Sequence, residues 1–170
     1  MKTAFFAIAF LLFGIGAYAQ DTAKTANKND IPNLKLKDIN GKEVDLQALT
    51  HQGKPVILSF WATWCAPCKK ELENMNEAID EWKKKYNVEI VAISIDDARN
   101  SMKVKPFVDG KKWDFVVLLD VNQDAKRLLN IPNVPYTILI DKTGKITYRH
   151  VGYTEGDEQV LETKLAEAAK

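Results

Sequence analysis

Only two cysteines and two histidines occur in the 170 residues. So few cysteines exclude a disulfide-dense scaffold, and His51 and His150 stand isolated, without the spacing of a four-ligand zinc site. Net charge is also nearly absent. The 24 Lys+Arg against 23 Asp+Glu give a formal +1, which offers no basic field for nucleic acid and no strongly acidic one for cationic partners. Internal repeats and low-complexity blocks are missing. With 46% hydrophobic and 28% charged residues, neither a disordered chain nor a multi-span membrane protein fits. What remains is one domain of ordinary size with a proper core.

The longest charge-free run comes first. Lys2 precedes Ala4 to Tyr18, with Phe5, Phe6, Ile8, Phe10, Leu11, Leu12, Phe13 and Ile15, and the run ends in Ala17-Tyr18-Ala19. A positive start, an apolar core and an A-x-A exit are the three parts of a secretory signal peptide, with cleavage expected after Ala19. The run falls short of the about twenty apolar residues a membrane anchor needs, and Gly14 and Gly16 weaken it further. No cysteine sits at the cleavage site to carry a lipid. Residues 1–19 thus read as a signal peptide, the polar residues 20–30 as a flexible leader, and 31–170 as the domain. The expected destination is periplasmic or otherwise extracytoplasmic, and the cleaved chain would be formally neutral.

Exported spaces are oxidising, so two cysteines there normally form a structural disulfide. Cys65 and Cys68 have only two residues between them, however, and closing so short a loop constrains almost nothing in the unfolded chain. A C-x-x-C at the start of a helix suits dithiol–disulfide exchange instead. The helix N-terminus stabilises a thiolate on the first cysteine, and the second lies one turn on, within reach to resolve a mixed disulfide. A structural disulfide and a metal site are the alternatives, both poorly served by this spacing.

The rest of the chain supplies a scaffold. Leu34, Leu36, Asn40-Gly41, Val44 and Leu46 read as a β-hairpin covering an edge or end of the main sheet. Pro55 to Trp61 is a nearly continuous apolar run, as in a strand buried on both faces. Cys68, Leu72, Met75, Ile79, Trp82 and Tyr86 recur at helical steps and predict one long helix from Cys65 to about Tyr86. Strands are expected at Val88 to Ile95, Phe115 to Leu119, Tyr136 to Ile140 and Lys145 to Val151. Helices are expected between Asn100 and Asp109, where Pro106 is an irregularity, at Asp124 to Leu129, and at Asp157 to Ala169. The order implies an α/β fold, a mixed β-sheet with helices on both faces.

The segment Val56 to Leu72, with Trp64-Cys65-Ala66-Pro67-Cys68-Lys69-Lys70-Glu71, resembles the active-site strand and helix of the thioredoxin superfamily, and closely its exported TlpA/ResA-like branch. Asn133-Val134-Pro135-Tyr136-Thr137 resembles the cis-proline loop, and the stretch between Ile95 and Asp120 fits that branch's central insertion of a helix and a strand. The resemblance spans Ile31 to Lys170. It implies a thioredoxin-like fold and thiol–disulfide oxidoreductase chemistry without a cofactor or metal. Cys65 would be the exposed nucleophile and Cys68 the shielded resolving thiol. Val134–Pro135 would be cis, with Val134 pairing an extended target segment, so Trp64, Val134 and Pro135 are the expected substrate-binding residues. Trp64 is a platform beside the thiol or a packed residue, Pro67 rigidifies the turn, and Glu71 reads as a solvated helix charge. Ser59 and Thr63 read as hydrogen-bonded structure.

Three positions depart from the family pattern. Ser59 stands where thioredoxin has a buried aspartate, Ala66 where some branch members have glutamate, and Asn74 where a proline is frequent. The base that deprotonates Cys68 is therefore open between water, Glu71 and a carboxylate of the partner. Ala66-Pro67 supplies no positive charge between the cysteines, so a reductant is expected, acting as a monomer on target proteins with disulfides or dithiols and recharged by a membrane-borne electron donor. Apocytochrome haem-site cysteines, as in cytochrome c biogenesis, are one substrate class. Two other classes fit less well. A peroxiredoxin-type peroxidase places two residues between its Thr and a single peroxidatic Cys, whereas only Trp64 separates Thr63 from Cys65. A Sco-like copper-delivery module has three residues between its cysteines, not two.

Overall fold

The computed structural model describes residues 30–170. The expected signal peptide, and the leader as far as residue 29, lie outside the described residues. Asp30 makes an isolated antiparallel bridge to Lys145, and Ile31 already belongs to the core. Strands β1 (Lys35–Asp38) and β2 (Glu43–Asp45) pair antiparallel as the expected hairpin. Gly41 takes the left-handed φ of 85° that its turn requires, and the Asp38 carboxylate accepts the N–H groups of Asn40 and Lys42. Leu46 does not continue the second strand. It opens a short helix, α1 (Leu46–Thr50), because the Asp45 side chain caps it, accepting the Ala48 N–H at 2.9 Å.

Strand β3 (Val56–Trp61) is buried at all six positions. Its neighbours explain the nearly continuous apolar run: β4 (Glu89–Ser94) pairs parallel on one side and β6 (Tyr136–Ile140) antiparallel on the other. Between β3 and β4 runs helix α2 (Ala66–Tyr86), whose stripe Cys68, Leu72, Met75, Ile79 and Trp82 is buried as the spacing predicts. Asn74, at the place where a proline is frequent, leaves α2 unbroken. The helix stops at Asn87, which adopts the left-handed conformation. Lys83, Lys84 and Lys85 in its last turn complement the negative end of the dipole.

The insertion forms a 3-10 turn (Ser101–Lys103), helix α3 (Val104–Lys111) and strand β5 (Val116–Leu119), which pairs parallel with β4. Pro106 lies in the first turn of α3, where a missing N–H removes no intrahelical bond, so the helix is not interrupted. Helix α3 rests against α2 through a 2.7 Å Lys111–Glu73 ion pair. Its Phe107 ring joins Trp61 and Trp113 in an aromatic cluster with centroids 5.1 to 5.6 Å apart.

Asp120 ends the insertion and its carboxylate caps α4 (Asp124–Leu128), accepting the N–H groups of Ala125 and Lys126. Strands β6 and β7 (Ile146–Val151) form an antiparallel hairpin, and α5 (Asp157–Ala168) closes the chain, packed on α2 and β6. The sheet is mixed and has seven strands in the order β2-β1-β5-β4-β3-β6-β7. The β1–β2 hairpin thus extends one edge, as expected. Among the described residues no helix is long and apolar enough to cross a membrane.

This placement of the core makes a direct expectation for stability. Leu58, fully buried at the centre of β3, should cost about 2 to 5 kcal/mol when truncated to alanine. Val160→Ala, on the exposed side of α5, should stay within about 0.5 kcal/mol of the parent. Urea midpoints measure both, and equal shifts would contradict the assignment.

Candidate active site

Beyond Trp61 the chain turns from the end of β3 into α2, and a buried acid holds the turn. The Asp96 carboxylate, at the end of β4, accepts the Thr63 N–H at 2.8 Å, the Thr63 hydroxyl at 2.6 Å and the Ser94 hydroxyl at 2.8 Å. The Cys65 N–H reaches back to the Ala62 carbonyl at 3.0 Å. Cys65 is thereby set at the N-cap of α2, with Pro67 in the first turn. Its Sγ accepts the backbone N–H of Cys68 at 3.3 Å, the position a capping oxygen takes in other helices. The two cysteines form a disulfide. A thiolate released at Cys65 meets a donated N–H and the positive end of a 21-residue helix. Cys68 is fully buried. Cys65 is 6% exposed, less open than the expected exposed nucleophile, because in this oxidised state its sulfur is bonded inward to Cys68.

Trp64 is 63% exposed, which excludes the packed alternative. The Val134–Pro135 bond is cis. Tyr136, the first residue of β6, lies opposite Phe60, so the Val134–Pro135 loop stands at the same end of the sheet as Cys65. The Pro135 carbonyl accepts the Gly152 N–H at 2.9 Å, while the Val134 backbone makes no hydrogen bond to another described residue.

Glu71 corrects the sequence reading most. It is not a solvated helix charge: it is 3% exposed, one helical turn after Cys68, facing the sheet. The Thr137 hydroxyl donates to Oε1 at 2.7 Å and the Ser59 hydroxyl to Oε2 at 3.2 Å. Ser59 on β3 and Thr137 on β6 are directly paired, so their side chains share one face and grip the carboxyl together. Burial pushes the Glu71 carboxyl up to about 7, the two hydroxyls pull the other way, and the negative charge of Asp157 adds to the rise. Thr137 and Asp96 were not singled out by the sequence. Thr137 is visible there only as the last residue of the proline loop, and Asp96 only as an acid closing a strand.

The histidines lie elsewhere. His51 packs its ring on Gly144 and bonds the Gln47 carbonyl. That is the opposite end of β3 from the cysteines, since Ile140, next to the β6–β7 turn, pairs with Val56 at the start of β3. His150 pairs with Asp157 at 3.2 Å. Among the described residues no cluster of three His, Cys, Asp or Glu side chains has metal-binding geometry.

The family model of the AhpC/TSA family matches residues 28–149. The chain belongs to this family. It is 36% identical over 146 residues to the thiol-disulfide oxidoreductase ResA of Bacillus thuringiensis (strain Al Hakam), covering 86% of this chain and 80% of that protein. A solution structure of a thioredoxin-like protein from Porphyromonas gingivalis superimposes with a TM-score of 0.73 at 44% identity, covering 82% of this chain and 91% of that one. A crystal structure from Chlorobium tepidum, described as a thiol:disulfide interchange protein of the DsbE kind, does so with 0.74 at 30% identity over 85% and 99%. The fold is thioredoxin-like, and the protein is a thiol–disulfide oxidoreductase with a close Cys65–Cys68 pair.

The site generates two expectations. Alkylation of the reduced protein at mildly acidic pH, followed by peptide mapping, should label Cys65 before Cys68; the reverse order would overturn the N-cap argument. The second concerns Glu71. Its carboxyl titrates near 4.5 in the unfolded chain and near 7 in the fold. Between those values the folded state holds a proton that the unfolded state has lost, so stability falls as pH rises, by roughly 3 kcal/mol in all. Oxidised Glu71→Gln should therefore melt higher than the parent at pH 8, with the gap closing by pH 4. A gap independent of pH would contradict the raised carboxyl.

Proposed function

We propose that this oxidoreductase is an exported reductant of protein disulfides in which Glu71 takes the proton of Cys68. The observation that carries the reading is the buried Glu71 carboxyl, held by Ser59 and Thr137 one turn after the resolving cysteine. Cys65 as thiolate attacks a target disulfide and forms a mixed disulfide. Cys68 then attacks Cys65 Sγ, giving its proton to the Glu71 carboxylate, and the target leaves reduced. A carboxyl that titrates near 7 suits this exchange, because both of its protonation states are populated at the working pH.

Exposed Trp64 and the Val134–Pro135 loop border the cysteines and form the target groove. The Val134 backbone, which bonds no other described residue, supports strand-like pairing with an extended target, which favours breadth over a fixed side-chain sequence. Ala66 and Pro67 are exposed and carry no charge, and the Cys68 N–H is the donor that meets Cys65 Sγ. So modest a stabilisation of the thiolate favours a potential nearer about −270 mV than about −120 mV. Export rests on the signal-peptide pattern of residues 1–19, and in an oxidising compartment a reductant needs a membrane-borne donor of electrons. The peroxidase reading is disfavoured by Thr63, whose hydroxyl proton is committed to Asp96.

Equilibration with glutathione buffers should give a potential well below about −180 mV; a higher value would reverse the assigned direction. Cys68→Ser should accumulate mixed disulfides through Cys65 with exported proteins, and peroxide should not be consumed by the purified protein. Traps that form through residue 65 only with small thiols would overturn the protein-disulfide reading.

A further inference from the structure

The pairing of Ser59 with Thr137 does not end at β6. Thr137 is directly opposite His150 on β7, so Ser59, Thr137 and His150 form one row on the α2 face of the sheet, running from its centre to its edge. Glu71 is held at the inner end of the row. At the outer end His150 Nε2 lies 3.2 Å from Asp157 Oδ2, and both side chains are about one-third exposed. A narrow cavity of about 10 Å³ lies between the two ends, bordered by Glu71, Thr137, His150, Asp157, Tyr153 and Glu158. That is the room one water molecule occupies.

From this row and its cavity we infer that protons leave Glu71 at the β7–α5 edge, through one water and the His150–Asp157 pair. The inference rests on Glu71 being the acceptor of the Cys68 proton and assigns the route by which that carboxyl is reset. In the resolving step the Cys68 electron pair forms the bond to Cys65 Sγ, the bond from Cys65 to the target sulfur breaks, and the target departs as a thiolate. The Cys68 proton is then on Glu71. Glu71 gives it to the cavity water, which passes one of its own to His150, and His150 releases a proton to solvent, while the target thiolate takes one up from solvent. A target seated on Trp64 and the Val134–Pro135 loop covers the cysteines, while His150, two residues before the Gly152 that bonds the Pro135 carbonyl, keeps its one-third exposed ring at the β7–α5 edge as the way out.

The groups facing Glu71 support this assignment. Among the described residues, β3 and β6 contribute the hydroxyls of Ser59 and Thr137, and on α2 itself Cys68 lies one turn before Glu71. From β7 come Tyr148 and His150, from the following loop Tyr153, and from α5 Asp157 and Glu158. Tyr153 accepts from Asn74 at 2.5 Å and donates to Glu158 at 2.9 Å; burial and that carboxylate push it up to about 12. Burial also raises Tyr148. Burial opposes ionisation of Glu158, but backbone N–H groups and the Tyr153 hydroxyl outweigh it and hold the carboxyl low. The tyrosines therefore keep their protons and Glu158 stays ionised at neutral pH. The His150 imidazole can take up a proton on one ring nitrogen and give one up from the other. The tautomer that donates Nε2–H to Asp157 leaves Nδ1 as the acceptor. His150 is thus a positioning residue for proton flow and touches no target.

The test follows single-turnover reduction of a synthetic peptide with one intramolecular disulfide by the reduced full chain, across pH, in weak buffer and again with added imidazole. His150→Gln should slow product release about tenfold near neutral pH in weak buffer. It should recover with imidazole while melting temperature and equilibrium potential stay those of the parent. Asp157→Asn, which retains a side-chain oxygen to accept the Thr154 N–H, should move the same way and serves if His150→Gln does not fold. A His150→Gln profile equal to the parent in weak buffer would overturn the route, as would a loss that imidazole leaves untouched. Glu71→Gln separates the two levels. If it is as fast as the parent at every pH, Glu71 takes no proton and both readings fall. If it is slow while His150→Gln is normal, only the exit route falls.

Discussion

The Glu71 carboxyl leaves water for a place between helix and sheet where two hydroxyl donors meet it, and an ionised carboxylate there is costly unless it takes up a proton. Much around the cysteines depends on this one burial. It requires Ser59 and Thr137 on adjacent strands in register, which fixes how β6 sits on β3 near the Val134–Pro135 loop. It requires α2 to turn the face that carries Cys68 and Glu71 toward the sheet, which leaves Cys65 at the helix tip with its sulfur over the first free N–H groups. The nucleophile, the resolving thiol and the titrating group are thus placed by one packing decision.

Two further buried acids act differently because their donors differ. Asp96 is met by three donors, two of them from Thr63. It is an anchor that ties the turn before Cys65 to the end of β4. Asp120 accepts two backbone N–H groups and starts α4, on the return from the insertion toward β6. These fixed points hold the strand ends still while Trp64, Ala66 and Pro67 face solvent. A rigid frame under an open rim is what thiol exchange with varied targets demands, since the sulfurs must align closely while the target remains loosely specified.

Elements with strong periodicity were legible in the sequence. The largely apolar β3, the stripe of α2, the β6–β7 hairpin and the insertion strand each fell within a residue or two of expectation. Helix α1 was missed because Leu46 continues an alternating pattern, and only the Asp45 cap, formed in three dimensions, decides for helix. Glu71 was misread for a related reason. It follows Lys69 and Lys70, and a charged residue in such company reads as solvated. It also directly precedes Leu72 on the stripe, so its Cβ lies near the border of the buried face. Which side it takes depends on two hydroxyls, one of them 66 positions away in sequence. No local pattern carries that information.

The departure at Ser59 finds its physical meaning in the same place. A strand residue with an acid side chain would occupy the space that Glu71 fills from the helix, and two carboxyls there would repel each other. Serine is short, leaves that space open and turns its hydroxyl into a donor for the incoming carboxylate. In this chain the buried acid is on the helix and the strand residue is its support. The longer glutamate, carried on the element that also bears Cys68, reaches its site from one turn along α2. It therefore stays tied to the resolving cysteine by the backbone of a single helix, and its other side faces Thr137 and the cavity toward β7.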